Sequence, residues 1–173
     1  MKVHERFVWA CDVMSIRPND KILEIGCGPG ILVQQIAGRL TGGVITAIDR
    51  SAAMLKAANG RNREFIENGI AQFLPGEFLA SELQRNAFDK IVAFNVNFFW
   101  KRSEEELKHI KKYLKPDGRL YIFYQLPHEI TIEAAKPMHE NLQANGFDII
   151  DAMLKKLKPT SAFCIISKPK SAR

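Results

Sequence analysis

Apolar positions along this chain alternate between two spacings. Residues 21–26 (KILEIG) form a short, mostly apolar run, as in a strand buried on both faces. Residues 31–40 then place Leu32, Val33, Ile36, Ala37 and Leu40 on one helical stripe, which Gly42-Gly43 ends. A second strand is expected over 43–49. Ser51 can cap a helix over 51–59, and Asn59-Gly60 stops it. A third, shorter strand is expected over 63–68 and a weak helix near 76–84. The fourth strand falls at 88–96. Ser103 and Glu106 form a capping box for a helix carrying Leu107, Ile110 and Leu114. Pro116-Asp117-Gly118 reads as a turn before a fifth strand over 119–125. A helix occupies part of 131–145; Pro137 either opens it or kinks it, and Gly146 closes it. The runs 147–157 and 161–168 are joined by Lys158-Pro159-Thr160, too short for a helix, so this last pair should be antiparallel.

Five strand-then-helix units and a terminal hairpin imply an α/β fold with an open, doubly wound, mostly parallel sheet and helices on both faces. The expectation is one domain over 1–173, with 1–20 as an N-terminal lid segment. Hydrophobic residues make up 46% and charged residues 25%, an ordinary globular balance. No apolar run approaches the roughly 18 residues of a membrane span. Cys11, Cys27 and Cys164 lie too far apart for a disulfide framework or a zinc site, and the start carries no signal-peptide pattern. The expected compartment is a reducing cytoplasm. The net charge of +6 allows an acidic partner such as RNA, but the basic residues are mostly scattered, which favours simple solubility.

In such sheets the ligand sits outside the carboxyl ends of the strands. The turn Gly26-Cys27-Gly28-Pro29-Gly30 should lie there, with glycines that admit positive φ and keep Cβ out of a ligand's path. Twenty-three residues after Gly26, Asp49 ends the second strand, where a carboxylate can accept both hydroxyls of a ribose. Together they indicate a nucleoside-containing cofactor between strands one and two. A dinucleotide fingerprint wants a small residue where Ile31 stands, and a P-loop wants G-K-[ST]. Glu24, inside the first strand, disfavours a pyrophosphate and suits a cofactor bearing an ammonium or sulfonium cation. S-adenosyl-L-methionine (SAM) carries both.

With these residues in hand, the sequence resembles the seven-stranded class I SAM-dependent methyltransferases. ILEIGCGPG (22–30) resembles their first motif and AIDRSAAML (47–55) their second; FDKIVAFNV and LKPDGRLYIF resemble their fourth and fifth strands. The resemblance spans roughly residues 20–170. It implies strand order 3-2-1-4-5-7-6, Asp49 on the ribose, and Met54 near the adenine. The family often places an acid after the third strand to meet the adenine amine. On the expected strand boundaries Ile70 stands there, leaving backbone groups of Ile70 and Ala71 to read the adenine edge.

The expected cofactor contacts are therefore Glu24, Gly26, Cys27, Gly28, Asp49, Arg50, Met54, Ile70, Ala71 and Asn95. Arg50 would flank the adenine, and Asn95 would offer its carbonyl or side chain at the end of strand four. Phe98, Phe99 and Trp100 are candidate pocket walls. His4, His109, His128, His139 and Tyr124 are weak candidate bases, and no catalytic residue or metal site is assigned. The expected activity is SAM-dependent methyl transfer to a small-molecule acceptor. RNA or protein methylation and non-catalytic SAM binding are the alternatives.

Overall fold

A computed structural model describes residues 5–101 and 103–170. Seven strands form one sheet in the order β3-β2-β1-β4-β5-β7-β6. At its centre β1 (Lys21–Ile25) runs parallel to both β2 (Val44–Asp49) and β4 (Phe88–Phe94). β3 (Ala71–Pro75) extends the parallel set on one side and β5 (Leu114–Tyr124) on the other. β7 (Ala162–Pro169) is antiparallel to β5 and to β6 (Phe147–Lys155), and the link between β6 and β7, residues 156–161, is too short for a crossover helix.

Side chains alternate across β1 and build two cores. Leu23 and Ile25 face α5 (Glu104–Tyr113) and α6 (Lys136–Ala144), meeting Leu107, Ile110, Met138 and Leu142. Ile22 faces α1 (Glu5–Met14) and α2 (Ile31–Ala37), with Phe7, Ala10, Cys11, Leu32 and Ile36. α3 (Ala52–Arg61) covers the same face through Leu55. The Ser51 hydroxyl caps it, accepting from Met54 N–H at 3.3 Å. At the amino end of the sheet, buried Lys90 pairs with Asp20, which also accepts from Arg17 N–H at 2.7 Å. Such a pair is held in register rather than left as an uncompensated buried charge.

Four local expectations change. Residues 63–67 form a short helix, α4, and the third strand begins only at Ala71. Phe65 and Ile66 are adjacent, so they cannot share one face of a strand. On a helix both turn toward the α2 side, while Arg63 and Glu67 pair at 2.8 Å one turn apart. The helix expected near 76–84 is a single 3-10 turn, Phe78–Ala80. The Pro116-Asp117-Gly118 segment lies within β5, as an irregularity where pairing jumps from Phe88↔Leu114 to Lys90↔Arg119. Ser103 precedes α5 without a side-chain cap; its hydroxyl accepts from Asn141 Nδ2 at 2.8 Å instead. Pro137 sits in the first turn of α6 and so opens that helix, where its missing N–H costs nothing.

Candidate cofactor site

The carboxyl ends of β1, β2, β3 and β4 meet around the glycine turn. Gly26 N–H and Cys27 N–H both donate to the Ile48 carbonyl, at 2.8 and 3.1 Å, and bend the chain toward β2. Asp49 then grips the turn from the next strand. Its Oδ2 accepts from Gly28 N–H at 2.7 Å and its Oδ1 from Ser51 N–H at 2.9 Å. Each carboxylate oxygen has further lone pairs, so the group keeps acceptor capacity for a ligand's hydroxyls.

Gly26 (φ 70) and Gly28 (φ 52) are needed for different reasons. A Cβ on Gly26 would lie 2.9 Å from Val96 Cγ2, whereas a Cβ on Gly28 would project into open space. Behind the turn, Asn62 Nδ2 donates to the Gly30 and Ala58 carbonyls at 3.0 and 2.9 Å, tying the turn to α3.

A cavity of about 370 Å³ opens beside this turn, within the usual range of small-ligand sites. Gly26, Asp49, Arg50, Glu77, Phe78 and Phe98 are among its walls. Arg50 Nη1 stands 3.9 Å from Glu77 Oε1 across the rim. Gly76 and Glu77 follow the true end of β3, and Gly76 N–H donates to the Asp49 carbonyl at 3.1 Å. Sequence reasoning misses this glycine-acid pair because it expects the third strand one element too early. The signal is present in the sequence: a half-apolar run, AQFLP, ending in Gly76-Glu77.

Glu24 is 2% exposed, on the α1 face of β1 beside Val92 of β4. Its Oε2 is buried and has no hydrogen-bond partner. Neither Lys21 nor Arg119 forms an ion pair with it. Burial, with the Asp49 charge adding, pushes its carboxyl well above the usual carboxylate range. A buried acid left without a partner is costly, and a cation delivered by a ligand would remove the cost.

The remaining expected contacts divide. Cys27 is buried in the turn, and burial together with the Glu24 and Asp49 charges pushes its thiol up, the opposite of an activated nucleophile. Asn95 adopts φ 56 after β4. Its amide is committed to Gln125, donating to the Gln125 carbonyl at 3.2 Å and accepting from Gln125 N–H at 2.9 Å. That leaves its backbone carbonyl as the group for a ligand. Met54 is 40% exposed on the first turn of α3 and does not line the cavity. Ile70 and Ala71 stand at the amino end of β3, away from the glycine turn. The Ile70 N–H donates to the Phe65 carbonyl at 2.8 Å and the Ile70 carbonyl accepts from Ile45 N–H at 2.9 Å, so both groups already have backbone partners.

Of the aromatic run after β4, Phe98 lines the cavity, Phe99 is buried, and Trp100 packs on Tyr124 and Phe163. Tyr124 is a brace: its buried hydroxyl donates to the Val96 carbonyl, and burial pushes its pKa up. His109 lies on α5 with Nδ1 2.9 Å from the Glu105 carbonyl, and His128 is exposed beyond β5. His139 lies on α6, and His4 falls outside the described residues.

Sheet order, glycine turn and strand-two acid together define a nucleoside-binding α/β fold. The chain belongs to the class I SAM-dependent methyltransferases: the family described as "Methyltransferase domain" matches residues 23–122. An uncharacterized methyltransferase of Bacillus subtilis, YdaC, is 31% identical over 166 residues, covering 92% of this chain and 89% of that one. The sterol 24-C-methyltransferase of Saccharomyces cerevisiae is 26% identical over 108 residues, 62% of this chain but only 28% of that protein. The chain thus spans about a third of the sterol-methylating relatives it matches. The fold is shared with a SAM-dependent methyltransferase of Aquifex aeolicus (TM-score 0.74, 16% identity, 94% of this chain and 90% of that one). Among the described residues, no helix is long and apolar enough to cross a membrane.

Proposed function

We propose that this chain transfers a methyl group from SAM to a small-molecule acceptor, with the cofactor held across the glycine turn. The observation that carries the reading is the buried, unpartnered Glu24 carboxyl beside a turn whose next-door strand ends in Asp49. An acid in that state fits a ligand bearing a positive charge at its amino-acid end. Asp49 would take the ribose hydroxyls, Gly26 and Gly28 would leave room for the methionine chain, and the Asn95 carbonyl would accept from its ammonium. Glu77 and Arg50, at the rim, would bracket the adenine. When bound, SAM supplies a methyl group activated by a sulfonium and leaving a neutral thioether.

The chain's own contribution is then placement. Asn95 and Gln125 clasp the ends of β4 and β5 together, and Phe98 walls the cavity, an arrangement that would restrict how an acceptor approaches the methyl group. Alignment alone can supply much of the rate, so no protein base is required unless the acceptor must first lose a proton. A small acceptor is supported by the names of the sterol-methylating relatives and by α1 lying over the β4 and β5 ends, where Phe7 meets Phe94 and Trp9 meets Phe123. Three buried free thiols suit a reducing cytoplasm.

A second reading, RNA methylation, is favoured by one feature: a surface hollow lined by Arg85, Lys108, His109, Lys111 and Lys112. Titration calorimetry with SAM, S-adenosylhomocysteine and NAD tests the cofactor, and binding of NAD alone would sink the proposal. A radiolabelled methyl screen against metabolite and RNA pools then separates the acceptors. Label in RNA, with binding that weakens steeply with salt, would favour the second reading.

A further inference from the structure

β6 closes one end of the sheet, with β7 on one flank and no strand on the other. Most of its side chains are exposed, Ile150 and Leu154 at 42% and 43% among them. An open edge carrying apolar side chains is a template for a further strand. Pairing with β7 slips between Ile149 and Asp151, and such a bulge bends the amino half of the edge away. Regular backbone is left over 151–155. There the Ala152 N–H donates to the adjoining Asp151 Oδ1 at 2.8 Å, so a side chain rather than a strand covers the edge at that point.

Charge is divided along this strand. Asp148 and Asp151 lie toward its amino end, Lys155 and Lys156 at its carboxyl end, and all four are exposed. Beyond the bulge, Asp151, Met153 and Lys155 share one face, the one on which Met153 pairs with Cys164 and Asp151 with Ile166. Ala152 and Leu154 point to the other. Among the described residues neither Asp151 nor Lys155 forms an ion pair.

We propose that this edge pairs antiparallel with the same edge of a second copy, about a two-fold axis at Met153. In that register Asp151 stands opposite Lys155 of the second copy, and the symmetry repeats the pair on the other side of the axis. Met153 meets Met153, and on the opposite face the small Ala152 meets the exposed Leu154. The Ala152 N–H turns from Asp151 to a carbonyl of the incoming strand, which releases the carboxylate to Lys155. An in-register parallel pairing would oppose like charges, and a two-residue slip would separate both ion pairs, so charge selects this arrangement. β6 leads directly into the link 156–161, whose Lys158 and Thr160 carbonyls accept from Gln125 Nε2 at 3.3 and 2.8 Å, so a paired edge would also steady the segment behind the Asn95–Gln125 clasp. The pairing is independent of which ligand the glycine turn holds.

The test is sedimentation velocity over a concentration series on the full chain, as wild type, D151K, K155D and D151K/K155D. Wild type should show a monomer–dimer equilibrium. D151K sets Lys against Lys and K155D sets Asp against Asp, so each should raise the dissociation constant at least about tenfold. The double swap should bring it back to within about threefold of wild type, because the same pairs are rebuilt in reverse. An equimolar mixture of D151K and K155D should form the mixed dimer, which neither forms alone. K155D leaves the bond from Ala152 to Asp151 in place, so its effect reads charge alone. Exposed positions should leave thermal melts nearly unchanged; should one reversal melt lower, the mixture and the double swap still decide. The inference is overturned if wild type stays monomeric at the highest soluble concentration, or if either reversal dimerises as wild type does. Failure of the double swap or of the mixture to restore the dimer also overturns it.

Discussion

Asp49 Oδ2 accepts the Gly28 N–H at 2.7 Å, so the acid assigned to the ribose also holds the turn that faces it. The two roles are separable. Asp49→Ala should weaken S-adenosylhomocysteine at least about tenfold, since a charged acceptor is lost. It should also lower folding stability by about 1–3 kcal/mol, because the Gly28 and Ser51 N–H groups lose their partner. Asp49→Asn, which keeps one oxygen, should recover more of the stability than of the affinity. Calorimetry and denaturant melts report the two quantities.

Glu24 predicts an unusual pH profile for the cofactor-free protein. Its folded pKa is raised, so its contribution is complete below the ordinary value of 4.5 and is lost as pH rises toward the folded pKa. Melting temperatures measured upward from pH 5 should therefore decline more in the wild type than in Glu24→Gln. Saturating SAM should narrow that gap, because its ammonium favours the carboxylate. Parallel pH profiles for the two proteins would contradict the assignment.

The two turn glycines should fail differently when given a methyl group. Gly26→Ala meets Val96 Cγ2 at 2.9 Å and must hold φ 70, so it should cost about 1–3 kcal/mol of stability, with Val96→Ala relieving part. Gly28→Ala has open space around it and should cost only about 1 kcal/mol for its positive φ. Its larger effect should be on cofactor binding, because on the proposed reading the cofactor would occupy that open space. Comparing melts with calorimetry distinguishes the two residues.

The placement of the third strand makes a paired prediction. Glu77→Gln, on the cavity rim, should weaken SAM several-fold with little change in stability, since Glu77 is exposed. Ile70→Asp should do the reverse: about 1–3 kcal/mol of lost stability, from a charge set against the α2-side core, with affinity unchanged. If Ile70→Asp tightens SAM, residue 70 faces the adenine and β3 cannot begin at Ala71.

Much of the fold is legible in the sequence because its signals are local. Glycines, caps and apolar spacing place β1, β2, α2 and α3 within a few residues, and the terminal hairpin follows from a link too short for anything else. The failure at β3 is also local in origin. Phe65 and Ile66 look strand-like by composition, while Ala71–Pro75 is only half apolar because β3 is an edge strand with one exposed flank. The difference places Glu77, rather than Ile70, beside the cavity. The contact of Arg6 Nη1 with Gln125 Oε1 is illegible for a different reason: the two lie 119 residues apart, and nothing in either neighbourhood marks the pair.

The Asn62 clamp behind Gly30 has a consequence for how this protein can diversify. It ties the glycine turn directly to α3, and with the Asp49 bond to Gly28 it braces the turn from within residues 26–62. On the proposed reading, the acceptor would meet the loops after β4 and β5. Substitutions in those loops that spare Asn95 and Gln125 would therefore change the recipient without loosening the brace behind the turn.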